Sequence, residues 1–268
     1  MTRPKNLPDY QEPPLHEVVM GVQFRTPENY QQIYAGEVWH LFRERFPEVE
    51  EHQRLMPNFE TFGPSSLSRT KFEFLDSAQH DRFWFLTLDE SELLQFQDDR
   101  FLHNWRRRPN CDYPRFERMA ETFLSYSQKL ERYFEKLGGG KNLEITQLEI
   151  SYINHLPSLP DAGLENLSDY VRILNKPEGE FEDIGFRYRR IIENGSAGPS
   201  GRLYVSCDPI VGKSDENLSS MNLIVRGTPE EPTLESAMKY FQMGRDLIVN
   251  EFTKITTARA HEHWKRIK

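Results

Sequence analysis

The residues best suited to chemistry lie between Phe96 and Arg118. They read Phe96-Gln97-Asp98-Asp99-Arg100-Phe101, then Asn104-Trp105-Arg106-Arg107-Arg108, then Tyr113-Pro114-Arg115-Phe116. Three consecutive arginines beside a tryptophan could contact phosphates while the rings stack on bases. Arg100, Trp105, Arg106, Arg107, Arg108 and Arg115 are therefore the candidate residues for binding a nucleic acid or a protein partner. In the competing reading, Asp98, Asp99 and Asp112 pair with these arginines, and Phe101 and Trp105 plug the join between a strand and a long helix. A second basic stretch, Phe186-Arg187-Tyr188-Arg189-Arg190, reads as a strand. Alternation puts Arg187 and Arg189 on one face of it and Phe186 and Tyr188 on the other. The two patches fall at different places in the order of elements, which weakens a shared groove.

Other patterns fail on geometry. Gly212-Lys213-Ser214 resembles the end of a phosphate loop, but Cys207 stands where the first glycine belongs, and the stretch leads into a strand. His261 and His263 are two apart on a helix, so they point away from one another. Cys111, near His103, sits in a turn-like Pro109-Asn110-Cys111-Asp112 loop, where sequence proximity is not spatial pairing. There is no nucleophile elbow, dinucleotide fingerprint, paired-carboxylate motif or zinc signature, and no cofactor is implied. The expectation is a binding protein rather than an enzyme, with two alternatives: nucleic-acid binding through Trp105 to Arg108, and a small-ligand pocket between the sheet and the long helices.

The elements that must position these residues follow from periodicity. Val18, Met20, Val22 and Phe24 alternate, so Leu15 to Arg25 reads as a strand. Thr26-Pro27-Glu28 has the form of a helix start, and Ile33, Tyr34, Val38, Leu41 and Phe42 make an apolar stripe that Pro47 ends. Strands are expected around Lys71 to Phe74, over Arg82 to Leu88, and around Leu94 to Asp98. The clearest helix is Pro114 to Leu137. Phe116, Met119, Phe123, Tyr126, Leu130, Tyr133 and Leu137 share one face, and Gly138-Gly139-Gly140 ends it.

The order then repeats. Leu143 to Leu156 is a long strand in which Ile145 and Leu148 cannot both point inward without a bulge. A short helix over Leu167 to Leu174, strands over Asp183 to Glu193, Arg202 to Ile210 and Leu218 to Arg226, and a final helix from Thr233 follow. The expected fold is α+β: two β-α-β-β-β-α halves, residues 1–140 and 141–268, with antiparallel sheet and the helices mainly on one face. One continuous eight-stranded sheet and two packed four-stranded sheets both satisfy this order.

The chain has 268 residues, with 18 Phe and 11 Tyr, which is too rich in large apolar side chains for a disordered protein. Two cysteines build neither a disulfide framework nor a four-ligand zinc site. No apolar run approaches the ~18 residues that span a membrane, and a cytoplasmic setting is expected. A net charge of −8 disfavours non-specific nucleic-acid binding, which leaves a protein partner or a second copy of the chain as the expected partner.

Several of these stretches carry a resemblance as well. Pro13-Pro14-Leu15-His16-Glu17-Val18, Gln97-Asp98-Asp99-Arg100-Phe101 with Asn104-Trp105, Tyr113-Pro114-Arg115-Phe116, Tyr152-Ile153-Asn154, and Phe252, Thr256 and Trp264 together resemble a sporadically distributed bacterial and archaeal family of uncharacterised proteins. The resemblance spans nearly the whole chain and implies one evolutionary unit. It transfers no activity and no site residue, and implies an accessory role in mobile or defence-associated gene clusters.

Overall fold

The chain opens on a strand and closes on helices. Alternating side chains bury Val18, Met20, Val22 and Phe24 of β1 (Leu15–Phe24) on one face. After α1 (Ala35–Phe42) come β2 (Glu48–His52), β3 (Arg82–Leu86), β4 (Glu92–Gln97) and β5 (Arg100–Arg106), then α2 (Arg115–Phe134). Next are β6 (Ile145–Pro157), α3 (Leu167–Tyr170), β7 (Phe186–Glu193), β8 (Pro199–Val211) and β9 (Asn217–Gly227), and last α4 (Leu234–Ile255) and α5 (Ala258–His263). The structure, a computed structural model, describes residues 4, 6–56, 59–62, 81–139, 143–174, 183–195, 198–212 and 217–268.

The fold is α+β. Among the described residues all nine strands join one antiparallel sheet in the order β2-β3-β4-β5-β1-β6-β9-β8-β7. Of the two sheet arrangements the sequence allowed, the chain forms the continuous one, with β1 and β6 paired at its middle from Leu15↔Asn154 to Phe24↔Ile145. The bulge expected in β6 is present: Gln23 faces Gln147 and Phe24 faces Ile145, so Thr146 is the extra residue and both Ile145 and Leu148 are buried. One face of the sheet is apolar, and rings from the helices meet it. Phe101 of β5 lies 5.8 Å from Phe42 of α1 and 6.2 Å from Phe123 of α2, and Phe123 meets Phe241 of α4 edge-on at 5.4 Å. Gly244 of α4 comes so near the sheet that an added Cβ would stand 2.7 Å from Cγ2 of Ile150.

Several expectations shift. The first helix does not start at Thr26. A 3-10 turn over Gln32–Tyr34 precedes α1, and its tighter winding rotates Ile33 off the apolar stripe, leaving it 81% exposed. The segment around Trp105 is not a join but a strand, β5, between β4 and β1. The charged edge strand β2 was not foreseen, and the strand expected around Lys71 to Phe74 lies outside the described residues. The helix after β6 stops at Tyr170 because Val171 pairs with Thr256 instead. The last helix breaks at Thr256, where the backbone is extended, and Thr257 caps α5 by accepting from the Ala260 N–H at 3.2 Å. Thr233 caps α4 in the same way, as its position implied. The end of α2 also matches: Gly138 takes φ 99°, a left-handed conformation natural to glycine.

Candidate functional site

Strand alternation divides the arginine–tryptophan segment. Trp105 points to the apolar face, is 1% exposed, and packs its ring 5.1 Å from Tyr113. Arg100 and Arg106, an odd number of residues from it along β5, lie on the opposite face. Arg106 is bonded to Glu17 (3.4 Å) and stacks its guanidinium over Trp84 (4.8 Å). Arg107 donates to the carbonyls of Leu15 (2.8 Å) and Pro13 (2.9 Å), which ties down the entry to β1. Arg108 reaches Glu90, and Arg115 reaches Asp9. Of the aspartates expected to neutralise this segment, Asp98 and Asp99, in the β4–β5 turn, pair with Arg54, and the charge of Asp99 also acts on Arg100. The six candidate residues are thus not brought together on one surface.

Arg100 leads to a different site, on the polar face of the sheet. Here period-two positions carry amides and charges: Gln95 and Gln97 on β4, Asn104 on β5, Gln23 on β1, Gln147 and Glu149 on β6, Arg226 on β9, and Arg202 and Tyr204 on β8. Many of these are buried, among them Gln23, Gln95, Gln97, Asn104, Gln147 and Arg202. A buried polar group needs a partner, and here the partner is the chain itself. Residues 53–56 and 59–62 lie against this face, from β3–β5 at one end to β8–β9 at the other.

Side chains of the sheet hold the backbone of that segment. The Gln97 amide accepts from the Leu55 N–H (2.9 Å) and donates to the Leu55 carbonyl (3.0 Å). Arg82 donates to the Gln53 carbonyl (3.1 Å), Arg100 to the Met56 carbonyl (3.1 Å), and Arg202 to the Thr61 carbonyl (2.6 Å). The Glu60 carboxylate is buried against Arg202, accepts from the Tyr204 hydroxyl (2.6 Å), and lies 4.0 Å from Arg226. Between the two ends lies a cavity of about 280 Å³ bounded by Gly21, Gln23, Met56, Arg100, Gln147 and Arg226. Gln147 Oε1 and Arg100 Nε are buried beside it with no partner among the described residues.

The electrostatics fit one carboxylate, Glu60, at the β8–β9 end of the face and one guanidinium, Arg54 beside Asp98 and Asp99, at the other. Burial works against the charge on Arg226, but Glu149, which accepts from it at 2.5 and 2.7 Å, together with Tyr204 and Glu60, raises its pKa overall. Burial, then the Glu60 hydrogen bond and charge, pushes the Tyr204 phenol up, so it stays a donor. Arg100, which burial pushes down, also donates to Gln23 at 2.9 Å. Near the far end of β1, the rings of His16 and His155 stack 3.7 Å apart. Burial, then His155 and the neighbouring arginines, holds His16 at about 4. Among the described residues no group of three or more His, Cys, Asp or Glu could hold a metal ion, and no helix is long and apolar enough to cross a membrane. Comparison with known proteins gives no matching family model and no match among curated proteins.

Sequence reasoning missed Gln97, Arg202, Tyr204, Arg226 and Glu60. A signal existed in the glutamines at alternating strand positions, Gln95 with Gln97 and Gln23 facing Gln147, since an amide recurring at period two marks a face that is polar yet covered.

Proposed function

We propose that this protein is a non-enzymatic binding protein whose polar sheet face receives an extended segment of a protein partner that carries one buried carboxylate. The observation that carries this reading is the way the sheet holds residues 53–56 and 59–62 through both hydrogen-bonding groups of one residue and the carbonyls of three others, with one carboxylate seated among Arg202, Tyr204 and Arg226. Backbone reading of that kind is how extended peptides gain affinity, while a pocket for one side chain gives specificity. In this chain the intramolecular segment holds the site, at an effective concentration on the order of millimolar, so a partner competes with it. We prefer this to nucleic-acid binding through Trp105 to Arg108, because Arg106, Arg107 and Arg108 already bond within the chain and Trp105 is enclosed.

The same proposal places the site in a duplicated frame: residues 1–140 and 141–268 as two halves meeting at β1 and β6, each a strand, a helix, a run of antiparallel strands and a long helix on the apolar face, the first half departing from the expected β-α-β-β-β-α order by the added edge strand β2. It draws support from the two long helices. Phe116, Met119, Ala120, Phe123, Ser127, Leu130 and Phe134 are the buried residues of α2, and Leu234, Ala237, Met238, Phe241, Arg245, Ile248 and Phe252 are buried at the same spacings in α4. Phe123 and Phe241, counterparts in that alignment, touch each other. The salt bridges Glu17–Arg106 and Glu149–Arg226 also join strands β1–β5 and β6–β9 in corresponding places. We hold membership of the sporadically distributed bacterial and archaeal family, an accessory role, and a cytoplasmic setting as parts of the same reading.

A labelled peptide with the sequence of residues 53–62, titrated into the full chain, tests the binding proposal. Wild type should bind weakly and the Glu60→Gln chain about tenfold more tightly, since losing ~1.4 kcal/mol of intramolecular binding is a factor of ten. Replacing the glutamate of the peptide by glutamine should cancel the gain. Peptide that binds neither chain at several hundred micromolar would refute the proposal.

A further inference from the structure

A second cavity, of about 300 Å³, lies on the apolar side of the sheet between β4, β5 and the first turns of α2. Its wall includes Arg45, Glu92, His103 and Trp105, with Arg118 and Thr122 contributed by α2. Its volume matches the lower end of ordinary ligand pockets, about 300 Å³. Two polar atoms on the strand side are buried without a partner among the described residues: His103 Nδ1 and Trp105 Nε1. A polar atom buried without a partner is costly, which is why such atoms point to an occupant.

The chemistry of that occupant can be read from the wall. Glu92 is held ionised: burial pulls its carboxyl up, but His103 (3.3 Å) and Arg45 (2.6 Å) outweigh it and set it at about 2. With Nε2 engaged by the Glu92 carboxylate at 3.3 Å, the other nitrogen of the His103 ring, Nδ1, is turned away from it. Trp105 Nε1 can only donate. The strand side therefore offers two ring nitrogens, two residues apart on one strand and so roughly 7 Å apart at the backbone. Glu92 neutralises one of the two guanidinium groups, and Arg118, exposed at the rim, leaves the cavity with net positive charge. Met119, Pro114 and the Tyr126 ring, which stands 5.6 Å from His103, supply apolar wall.

We propose that this cavity binds a small organic monoanion: a carboxylate on a flat apolar body that also bears a hydroxyl or amide group, with the carboxylate toward Arg118 and the hydroxyl or amide toward His103 and Trp105. The site is separate from the polar face, so it stands or falls independently of the peptide reading.

The test uses 4-hydroxybenzoate as probe, with benzoate and 4-hydroxybenzamide as controls, followed by the indole N–H resonance of Trp105 in the full chain. 4-Hydroxybenzoate should shift that resonance saturably at low millimolar concentration or below. Benzoate, lacking the hydroxyl, and the amide, lacking the charge, should each bind at least fivefold more weakly. Arg118→Gln, an exposed substitution that leaves the core intact, should weaken 4-hydroxybenzoate at least fivefold and leave 4-hydroxybenzamide unchanged. His103→Gln should weaken the hydroxylated probes selectively. Equal binding of all three probes, an Arg118→Gln chain that binds like wild type, or no saturable shift up to 10-millimolar order, the result expected if water alone fills the cavity, would each overturn the proposal.

Discussion

Acid should loosen the join between α4 and α5 through His261. Its Nδ1 lies 3.3 Å from Nη1 of Arg266, and a guanidinium can only donate, so Nδ1 must accept. Nε2–H then donates to the Thr256 hydroxyl at 2.7 Å, and that hydroxyl donates to the Phe252 carbonyl at 2.7 Å. The relay needs a neutral ring. Burial, then the charges of Arg266 and Arg172, lowers the pKa from 6.5 to about 4. The folded value is below the unfolded one, so the unfolded chain binds more protons between these pH values. The stabilisation is fully present above about pH 6.5 and is lost as pH falls toward 4. The full shift would cost about 2 kcal/mol at pH 5, and allowing for solvent near the chain end we expect about 1–2 kcal/mol. Urea unfolding of wild type and His261→Gln at pH 7.5 and 5.0 isolates this contribution, because His16 and His155 titrate in both chains and cancel in the double difference. The glutamine chain should be less stable at pH 7.5, having lost ring contacts to Tyr10 (5.5 Å) and Trp264 (6.3 Å), yet should lose about 1–2 kcal/mol less on acidification. Equal losses in the two chains, or an NMR midpoint for His261 near 6.5, would refute the reasoning.

Two other perturbations have clear expected outcomes. Gly244→Ala inserts a methyl 2.7 Å from Ile150 and 3.1 Å from Val225, so it should destabilise by about 1–3 kcal/mol and lower Tm by several degrees; an unchanged Tm would mean that α4 does not sit this close to β6. Iodoacetamide should modify the native chain at Cys111 alone, because Cys207 is buried and burial pushes its thiol up to about 12, with Cys207 reacting only after denaturation; mass spectrometry of peptic fragments reads the result.

How much of this was legible depends on whether a signal was local. The stripe of α2 is a property of one helix, and Phe116, Met119, Phe123 and Leu130 are buried as its spacing implied, whereas Tyr126, Tyr133 and Leu137 are only partly buried, with Ser127 and Phe134 turned further inward. The bulge in β6 was readable because Ile145 and Leu148 conflict within a single strand. β5 was hidden for the opposite reason. Its alternation is real, with Phe101, His103 and Trp105 against Arg100, Asn104 and Arg106, but arginines at both ends made it look like a surface patch. Ile33 shows the limit of a stripe argument, since a 3-10 turn displaced one residue and moved it to solvent. The binding surfaces were beyond reach of local reasoning. Gln97 meets Leu55, and Glu60 meets Arg202, across long stretches of chain, and nothing near either residue announces the contact.

The β1–β6 ladder has a kinetic consequence. β1 is flanked by β5 and β6, and β6 by β1 and β9, so every inter-strand hydrogen bond linking β2–β5 to β7–β9 passes through this one seam. It closes a loop running from Phe24 to Ile145, whose entropy must be lost before the ladder returns anything. A refolding chain will therefore pass through states in which β1 and β6 are open edges, each a long strand with one greasy side. At high protein concentration, the β6 of another molecule offers β1 the same register as its own. Refolding yield should fall with concentration, and the oligomers that form should be joined at this seam.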